Sequence, residues 1–299
     1  MKRRFYQLDV FTRKAYEGNP LAVITDGDGL SQRRMQAIAR EMNLSETVFV
    51  QKPTSDRALA RLRIFTTEEE LPLAGHPVIG TWFLLAELGV VPAQHGSVHV
   101  LQQTGAGVLP VEIAFEDGRP AQVTMTQKPA AFRSCRANRK ALSRALGLSP
   151  RDLHSRLPLE FVSTGIFNLM VPLRSRSALA RIAMDPRAVR KLLGASATMA
   201  YCFATGPRGK VFSRGMLPWN LYEDAATGSA AGSLGAYLVR HKLLRVGAKL
   251  KILQGVEMGR PSHIQVEIMR EPGKRGASEQ LVPRVSGAAV TVFEGTLDA

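Results

Sequence analysis

Two cysteines in 299 residues, Cys135 and Cys202, are too few for a disulfide framework, and neither has a second cysteine or histidine at metal-ligand spacing. Both read as ordinary buried thiols. The six histidines (His76, His95, His99, His154, His241, His263) form no metal-binding pair on a helix, so a metalloenzyme is not expected. Long apolar runs are also missing: nothing approaches the roughly eighteen residues that a membrane-spanning helix needs. The basic start MKRRFYQLDVF is interrupted at Gln7 and Asp9 before any stretch suited to a secretory signal, which predicts a cytoplasmic protein without membrane contact. Neither a dinucleotide fingerprint nor a Walker loop is present, and TGPRGK at 205–210 reads as a turn.

Acidic residues are outnumbered, 25 Asp and Glu against 40 Lys and Arg, for a formal charge of +15. Much of the excess lies in RSCRANRKALSRALGLSPRDLHSR, residues 133–156, where arginines alternate with apolar positions in a helix-like pattern. A field of that sign draws in nucleic acid or a small anion. No nucleic-acid motif accompanies the segment, so it reads as a solvated helix face, and the expected partner is a small anionic substrate rather than nucleic acid.

What the chain does have is apolar content, 45%, enough to bury a real core in one large domain or two ordinary ones. FYQLDVFT, a Gly18–Asn19–Pro20 turn and LAVIT predict two strands. In LSQRRMQAIAREMN, Met35, Ile38, Ala39 and Met42 recur at helical spacing behind a plausible N-cap, Ser31, so an amphipathic helix follows. LSETVFV predicts a strand whose alternation puts Glu46 on the face of Leu44, Val48 and Val50. A carboxylate there either faces solvent at a strand end or sits in a dry cleft with a raised pKa. Pattern alone favours the solvent, because buried glutamate is rare.

In PLAGHPVIGTWFLLAEL, Pro77 suits the first turn of a helix, and the run behind it is apolar around nearly its whole circumference. Such a helix has to be enclosed by other elements. Gly75 and His76 then stand at its N-terminus, where unpaired N–H groups and the helix dipole favour an anion. A second stretch, DAATGSAAGSLGAYLV, repeats the plan: superposing Gly75 on Gly228 lays His76 on Ser229 and Ala74 on Thr227. Two similar lobes are thus suggested, each with a buried helix whose N-terminus faces a shared cleft. The second half is otherwise rich in strands, VSTGIFNLMVPL, KLKILQG, HIQVEIM and the closing VSGAAVTVFEGTL, and lacks the regular alternation of a doubly wound fold.

DVFTRKAYEGNPLAVI, NLSETVFV, LPLAGHPVIGT, EDAATGSAAG and LQGVEMGRPSHIQV together resemble the PhzF-like family of phenazine-biosynthesis isomerases and their relatives, nearly end to end and in order. The resemblance implies an α+β, diaminopimelate-epimerase-like fold: two pseudo-symmetric lobes, each a rolled, mainly antiparallel sheet around a central apolar helix, with the active site in the cleft between them. The expected lobes are 1–118, with Glu46 and the His76 loop, and 119–299, with the Asp224 and Ser229 loop. The last strand, about 286–299, is placed to pack back on the first lobe.

It further implies a homodimeric, cofactor-free isomerase that moves a proton on a small, carboxylate-bearing, dihydro-hydroxyanthranilate-like substrate. Glu46 would carry the proton, reversing the solvent-facing reading. His76, Asp224 and Ser229 would hold substrate, and the Gly75 and Gly228 loops would supply backbone N–H groups. A carboxylate tuned upward by a dry site serves as base and then acid, while oriented donors stabilise the developing charge. Taken singly, His76 could be only a helix-terminal side chain and Asp224 only a complement to a helix N-terminus; Asn19 and Pro20 read as structural.

Three departures bear on the chemistry. Related two-cysteine epimerases of this fold carry cysteine just before each loop glycine, where this chain has Ala74 and Thr227, so a thiol racemase is disfavoured. Ala225 stands where the family usually has proline, and SRGMLPWNLYED keeps Arg214 and Pro218 but lacks a glycine before the acidic pair. These departures leave room for a substrate choice unlike that of the phenazine enzyme. The alternatives are an amino-acid-type epimerase or racemase and a non-catalytic protein that binds a small anion.

Overall fold

The computed structural model describes residues 2–93, 95–206, 209–219, 222–273 and 279–299. It divides into two compact units, residues 1–125 with 286–299, and residues 126–285.

In the first unit, Lys2–Val10 lies antiparallel to both Asn19–Ile24 and the last strand, Ala289–Asp298. Asn19–Ile24 runs parallel to Thr47–Gln51, which is antiparallel to Ala60–Phe65. That strand continues parallel to Gly96–Thr104, which is antiparallel to Gly107–Glu116, and Arg119–Thr126 completes the meander. The Gly18–Asn19–Pro20 turn is shorter than expected. Only Gly18 turns, at φ +72° with Val10 O 2.3 Å from where a Cβ would sit, while Asn19 and Pro20 already pair with Val10 and Asp9.

The helix Gln32–Met42 is capped by Ser31, whose hydroxyl accepts from the Arg34 N–H, and it buries Met35, Ile38 and Ala39 against Ile24, Phe49 and Phe65. Gly75–Glu87 is the enclosed helix: every residue from His76 to Ala86 is buried. It packs on the strands Lys2–Val10, Asn19–Ile24, Thr47–Gln51, Gly107–Glu116 and Ala289–Asp298. The sheet therefore rolls around it. Each fully buried large side chain on such a helix contributes about 1.5–3 kcal/mol. Trp82, the largest, also donates its indole N–H to Gln102 Oε1 at 2.8 Å.

The second unit repeats this order of strands and senses. Ala131–Ser134, Glu160–Ser163 and Phe167–Pro172 are successively antiparallel, and Phe167–Pro172 is parallel to Ala200–Thr205. Ala200–Thr205 is antiparallel to Lys210–Leu217, which is parallel to Lys249–Gln254, and Ser262–Glu271 pairs antiparallel beyond it. Its enclosed helix, Gly228–Arg240, packs on Glu160–Ser163, Phe167–Pro172 and Ser262–Glu271. Both ends of that helix fall 153 residues after the ends of Gly75–Glu87. The fold is the α+β arrangement of two related rolled sheets, each around one apolar helix.

The basic segment 133–156 is not one helix. It is the end of a strand, a seven-residue helix, Arg139–Ala145, and a single 3-10 turn, Pro150–Asp152. Gly147, at φ +70°, breaks the pattern after the first turns. Two of its arginines are structural: Arg133 stacks 3.9 Å from the Phe167 ring, and Arg139 donates to the His154 and Leu157 carbonyls. The centre of the expected TGPRGK turn, Pro207 and Arg208, lies outside the described residues.

Candidate active site

The first loop brings two titratable side chains together. Helix Gln32–Met42 ends at Asn43 in the left-handed region, the chain bends through Leu44 and Ser45, and the ladder starts at Thr47. Glu46 is thus the residue just before the strand rather than part of it, a correction to the alternation read from LSETVFV. Placement at the strand mouth frees its side chain from the pleat and lets it turn to the N-terminus of the enclosed helix. There His76, the second helical residue, puts Nε2 3.3 Å from Glu46 Oε2.

Water is largely excluded. The His76 and Glu46 side chains keep 8% and 17% of their exposure, and Glu46 Oε2 itself is sealed off. Burial pushes the Glu46 carboxyl up to about 7, against a smaller downward pull from the neighbouring Ser45 hydroxyl. Desolvation dominates because an ion in a dry pocket loses hydration that one hydroxyl cannot replace. A carboxyl at that value is divided between acid and base near neutral pH, as a group that must take and return a proton requires.

The second loop is built differently on the same backbone plan. Tyr222–Asp224 pairs with the end of Lys210–Leu217, and Thr227 precedes the helix as its N-cap. The Thr227 hydroxyl does not cap the helix; it donates to Asp224 Oδ2 at 2.6 Å. Ala74 makes no side-chain cap either. Neither enclosed helix therefore takes a cap from the side chain at its N-cap position. Ser229 is partly exposed and occupies the second helical position, the counterpart of His76.

Such a fold, order of elements and pair of loops can be compared with known proteins. The family model for phenazine biosynthesis-like proteins (PhzC–PhzF) matches residues 8–295. The chain belongs to that family. The trans-2,3-dihydro-3-hydroxyanthranilate isomerase of Pseudomonas aeruginosa is 36% identical over 296 residues, covering 98% of each chain. An uncharacterised isomerase of Mesorhizobium japonicum is 36% identical over 309 residues, covering 99% of each. Among solved structures, the Bacillus anthracis phenazine biosynthesis protein of the PhzF family superposes over 100% of both chains with a TM-score of 0.87 and 27% identity. A probable proline racemase from Agrobacterium radiobacter, 14% identical with a TM-score of 0.74 over 99% of this chain and 93% of its own, shares the fold alone. The chain is an isomerase of the PhzF family.

Within that family the internal repeat shows where the two loops diverge. The 153-residue offset lays Thr47–Gln51 on Ala200–Thr205 and places Met199 where Glu46 stands. Met199 is buried and cannot titrate. One loop of the pair therefore carries a buried, titratable carboxylate and the other does not.

The thiols stand apart from either loop. Cys202 is fully buried in the core of the second unit, and burial pushes its thiol up to about 12. Cys135 is partly buried, and burial raises it too. Neither is poised as a thiolate. Among the described residues, no three His, Cys, Asp or Glu side chains converge as a metal site, and no helix is long and apolar enough to cross a membrane.

Arg214 is committed to structure. Its guanidinium grips Glu223 through two bonds, 2.9 and 2.6 Å, and donates to the Leu179 and Ile182 carbonyls. Asn220 and Leu221, within the segment read as bearing on substrate choice, lie outside the described residues. Sequence reasoning missed four residues that hold the second loop: Tyr201, Gln254, Gln127 and Thr164. Only Gln254 fell in a motif, LQGVEMGRPSHIQV, and nothing in the pattern marks it as buried.

Proposed function

We propose that this protein is a cofactor-independent isomerase that uses Glu46 to move a proton on a small, carboxylate-bearing ring of the dihydro-hydroxyanthranilate type. The observation that carries this reading is the Glu46 carboxyl itself, buried, raised to about 7 and 3.3 Å from His76. Two relatives named trans-2,3-dihydro-3-hydroxyanthranilate isomerase match 98% and 97% of this chain.

The ionised Glu46 takes a proton from one ring carbon; the electron pair left behind moves into the conjugated system, and the same carboxyl returns the proton to another carbon. One C–H bond breaks, one forms and the double bond shifts, so no electrons enter or leave. His76 holds the substrate beside Glu46 and donates to charge that develops there. Asp224 and Ser229 hold the polar groups of the substrate, and the N–H groups behind Gly75 and Gly228 favour its negative charge. Because thiols are missing at positions 74 and 227, the two-thiol route to an epimerase is not open to this chain.

Proton exchange in D2O, followed by NMR with trans-2,3-dihydro-3-hydroxyanthranilate, tests the assignment. Wild type is expected to isomerise the substrate, with deuterium at the new C–H position to the extent that the Glu46 proton exchanges with solvent before it is returned, and Glu46→Gln to do neither. A ligand bound by the wild type with neither isomerisation nor exchange would instead mark a binding protein.

A further inference from the structure

We infer that Gln254 is a positioning residue for the Asp224–Ser229 loop, setting through Thr227 where the Asp224 carboxylate stands; the inference rests on the proposed role of that loop in holding substrate. Gln254 ends the strand Lys249–Gln254 and is fully buried. Its amide oxygen accepts from the Tyr201 hydroxyl at 2.7 Å and from the Thr227 N–H at 3.2 Å. Its amide nitrogen donates to the Asp224 carbonyl at 2.8 Å and to Thr227 Oγ1 at 3.1 Å. Both donors and both acceptor sites of the side chain are used.

These bonds have only one consistent direction. Thr227 Oγ1 accepts from Gln254, so its single proton goes to Asp224 Oδ2, 2.6 Å away. Tyr201 spends its proton on Gln254, so the Ser213 hydroxyl, 2.9 Å distant, donates to Tyr201. Burial raises the Tyr201 phenol well above its ordinary value, which keeps that proton in place at any working pH. The chain Ser213, Tyr201, Gln254, Thr227, Asp224 thus orients each member from the one behind it. Two further side chains grip the next residues: Gln127 donates to the Gly228 carbonyl at 2.9 Å, and Thr164 to the Ser229 carbonyl at 3.2 Å. Three consecutive residues at the head of the helix are held by side chains from three separate segments. Gln254 satisfies the Thr227 N–H and the Asp224 carbonyl, and the chain of bonds ends on the partly exposed Asp224 carboxylate, so its direction fixes where that carboxylate stands.

The test compares wild type, Gln254→Leu and Tyr201→Phe, with Gln102→Leu as a control that removes a buried amide from the first unit. Backbone amide exchange at Thr227–Ala230 and turnover of trans-2,3-dihydro-3-hydroxyanthranilate are measured together. Gln254→Leu is expected to speed exchange at this loop and to raise KM roughly tenfold, the order expected when buried hydrogen bonds to the loop are lost, with kcat changed less. Tyr201→Phe is expected to shift both in the same direction by a smaller factor, and Gln102→Leu to lower the melting temperature without moving KM. An unchanged KM in Gln254→Leu beside an active wild type overturns the inference and leaves the proposed function standing. An inactive wild type defeats the proposed function. The inference is then decided by affinity for 3-hydroxyanthranilate, an aromatic carboxylate probe, where equal binding by wild type and Gln254→Leu, or none by either, overturns it.

Discussion

Replacing Glu46 with glutamine should make the protein more stable, and only at the pH where the enzyme works. The substitution keeps the shape of the side chain and removes its charge. In an unfolded chain this carboxyl titrates near 4.5, and in the folded protein burial moves it to about 7. That difference corresponds to roughly 3 kcal/mol of preference for the neutral form in the native state. The sign follows from proton linkage. Below about 4.5 the group is protonated in both states and costs nothing; between 4.5 and 7 the unfolded chain ionises while the native state resists. Above 7 the full penalty falls on the native wild type. Urea unfolding of wild type and Glu46→Gln at pH 5 and pH 8 should therefore show curves close together at the lower pH and the variant ahead by up to about 3 kcal/mol at the higher. In the same window kcat/KM of wild type should rise with pH through about 7 and level off, because the base form starts the reaction. A stability gap of equal size at both pH values would refute the desolvation argument and remove the basis for Glu46 as the proton carrier.

His76→Asn keeps a hydrogen-bonding group at the helix N-terminus but not a titratable one, and should cut kcat about a hundredfold in a steady-state assay while the protein stays folded by circular dichroism. Gly80→Ala would place a methyl 2.6 Å from Val10 Cγ2 and 2.7 Å from Leu21 Cδ2, so thermal melting should show a loss of about 1–3 kcal/mol. Arg214→Met strands the largely buried Glu223 carboxylate and frees two carbonyls, and denaturant titration should register a loss of about 3–5 kcal/mol. Cys135→Ser with Cys202→Ala should leave turnover intact, and loss of activity without loss of folding would reinstate a thiol mechanism.

Much of this architecture is legible along the chain because it depends on local spacing. The helix at Gln32–Met42 shows itself by Met35, Ile38, Ala39 and Met42 on one face, and the enclosed helices show themselves by having no polar face at all. The repeat is legible too, because thirteen-residue helices opening on Gly75 and Gly228 keep their distance even where identity between the halves is weak. The 133–156 segment misleads for the opposite reason. Its arginines have helical spacing, yet Arg133 is placed by the Phe167 ring and Arg139 by carbonyls 15 and 18 residues further along the chain, contacts which no helical periodicity encodes.

Glu46 marks the division most clearly. By itself the sequence determined that a carboxylate stands in LSETVFV, that a histidine opens an enclosed helix, and that thiols are missing from both loops; these are facts of order and composition. Whether that carboxylate is a solvated strand end or a buried one was decided only by tertiary structure, which starts the ladder at Thr47, turns Glu46 toward His76 and seals one carboxyl oxygen from water. The grip of Gln254 on Thr227 and Asp224 belongs to the same class. Desolvation and hydrogen-bond direction depend on what surrounds an atom in space, and those surroundings come from residues 30 positions away in each case.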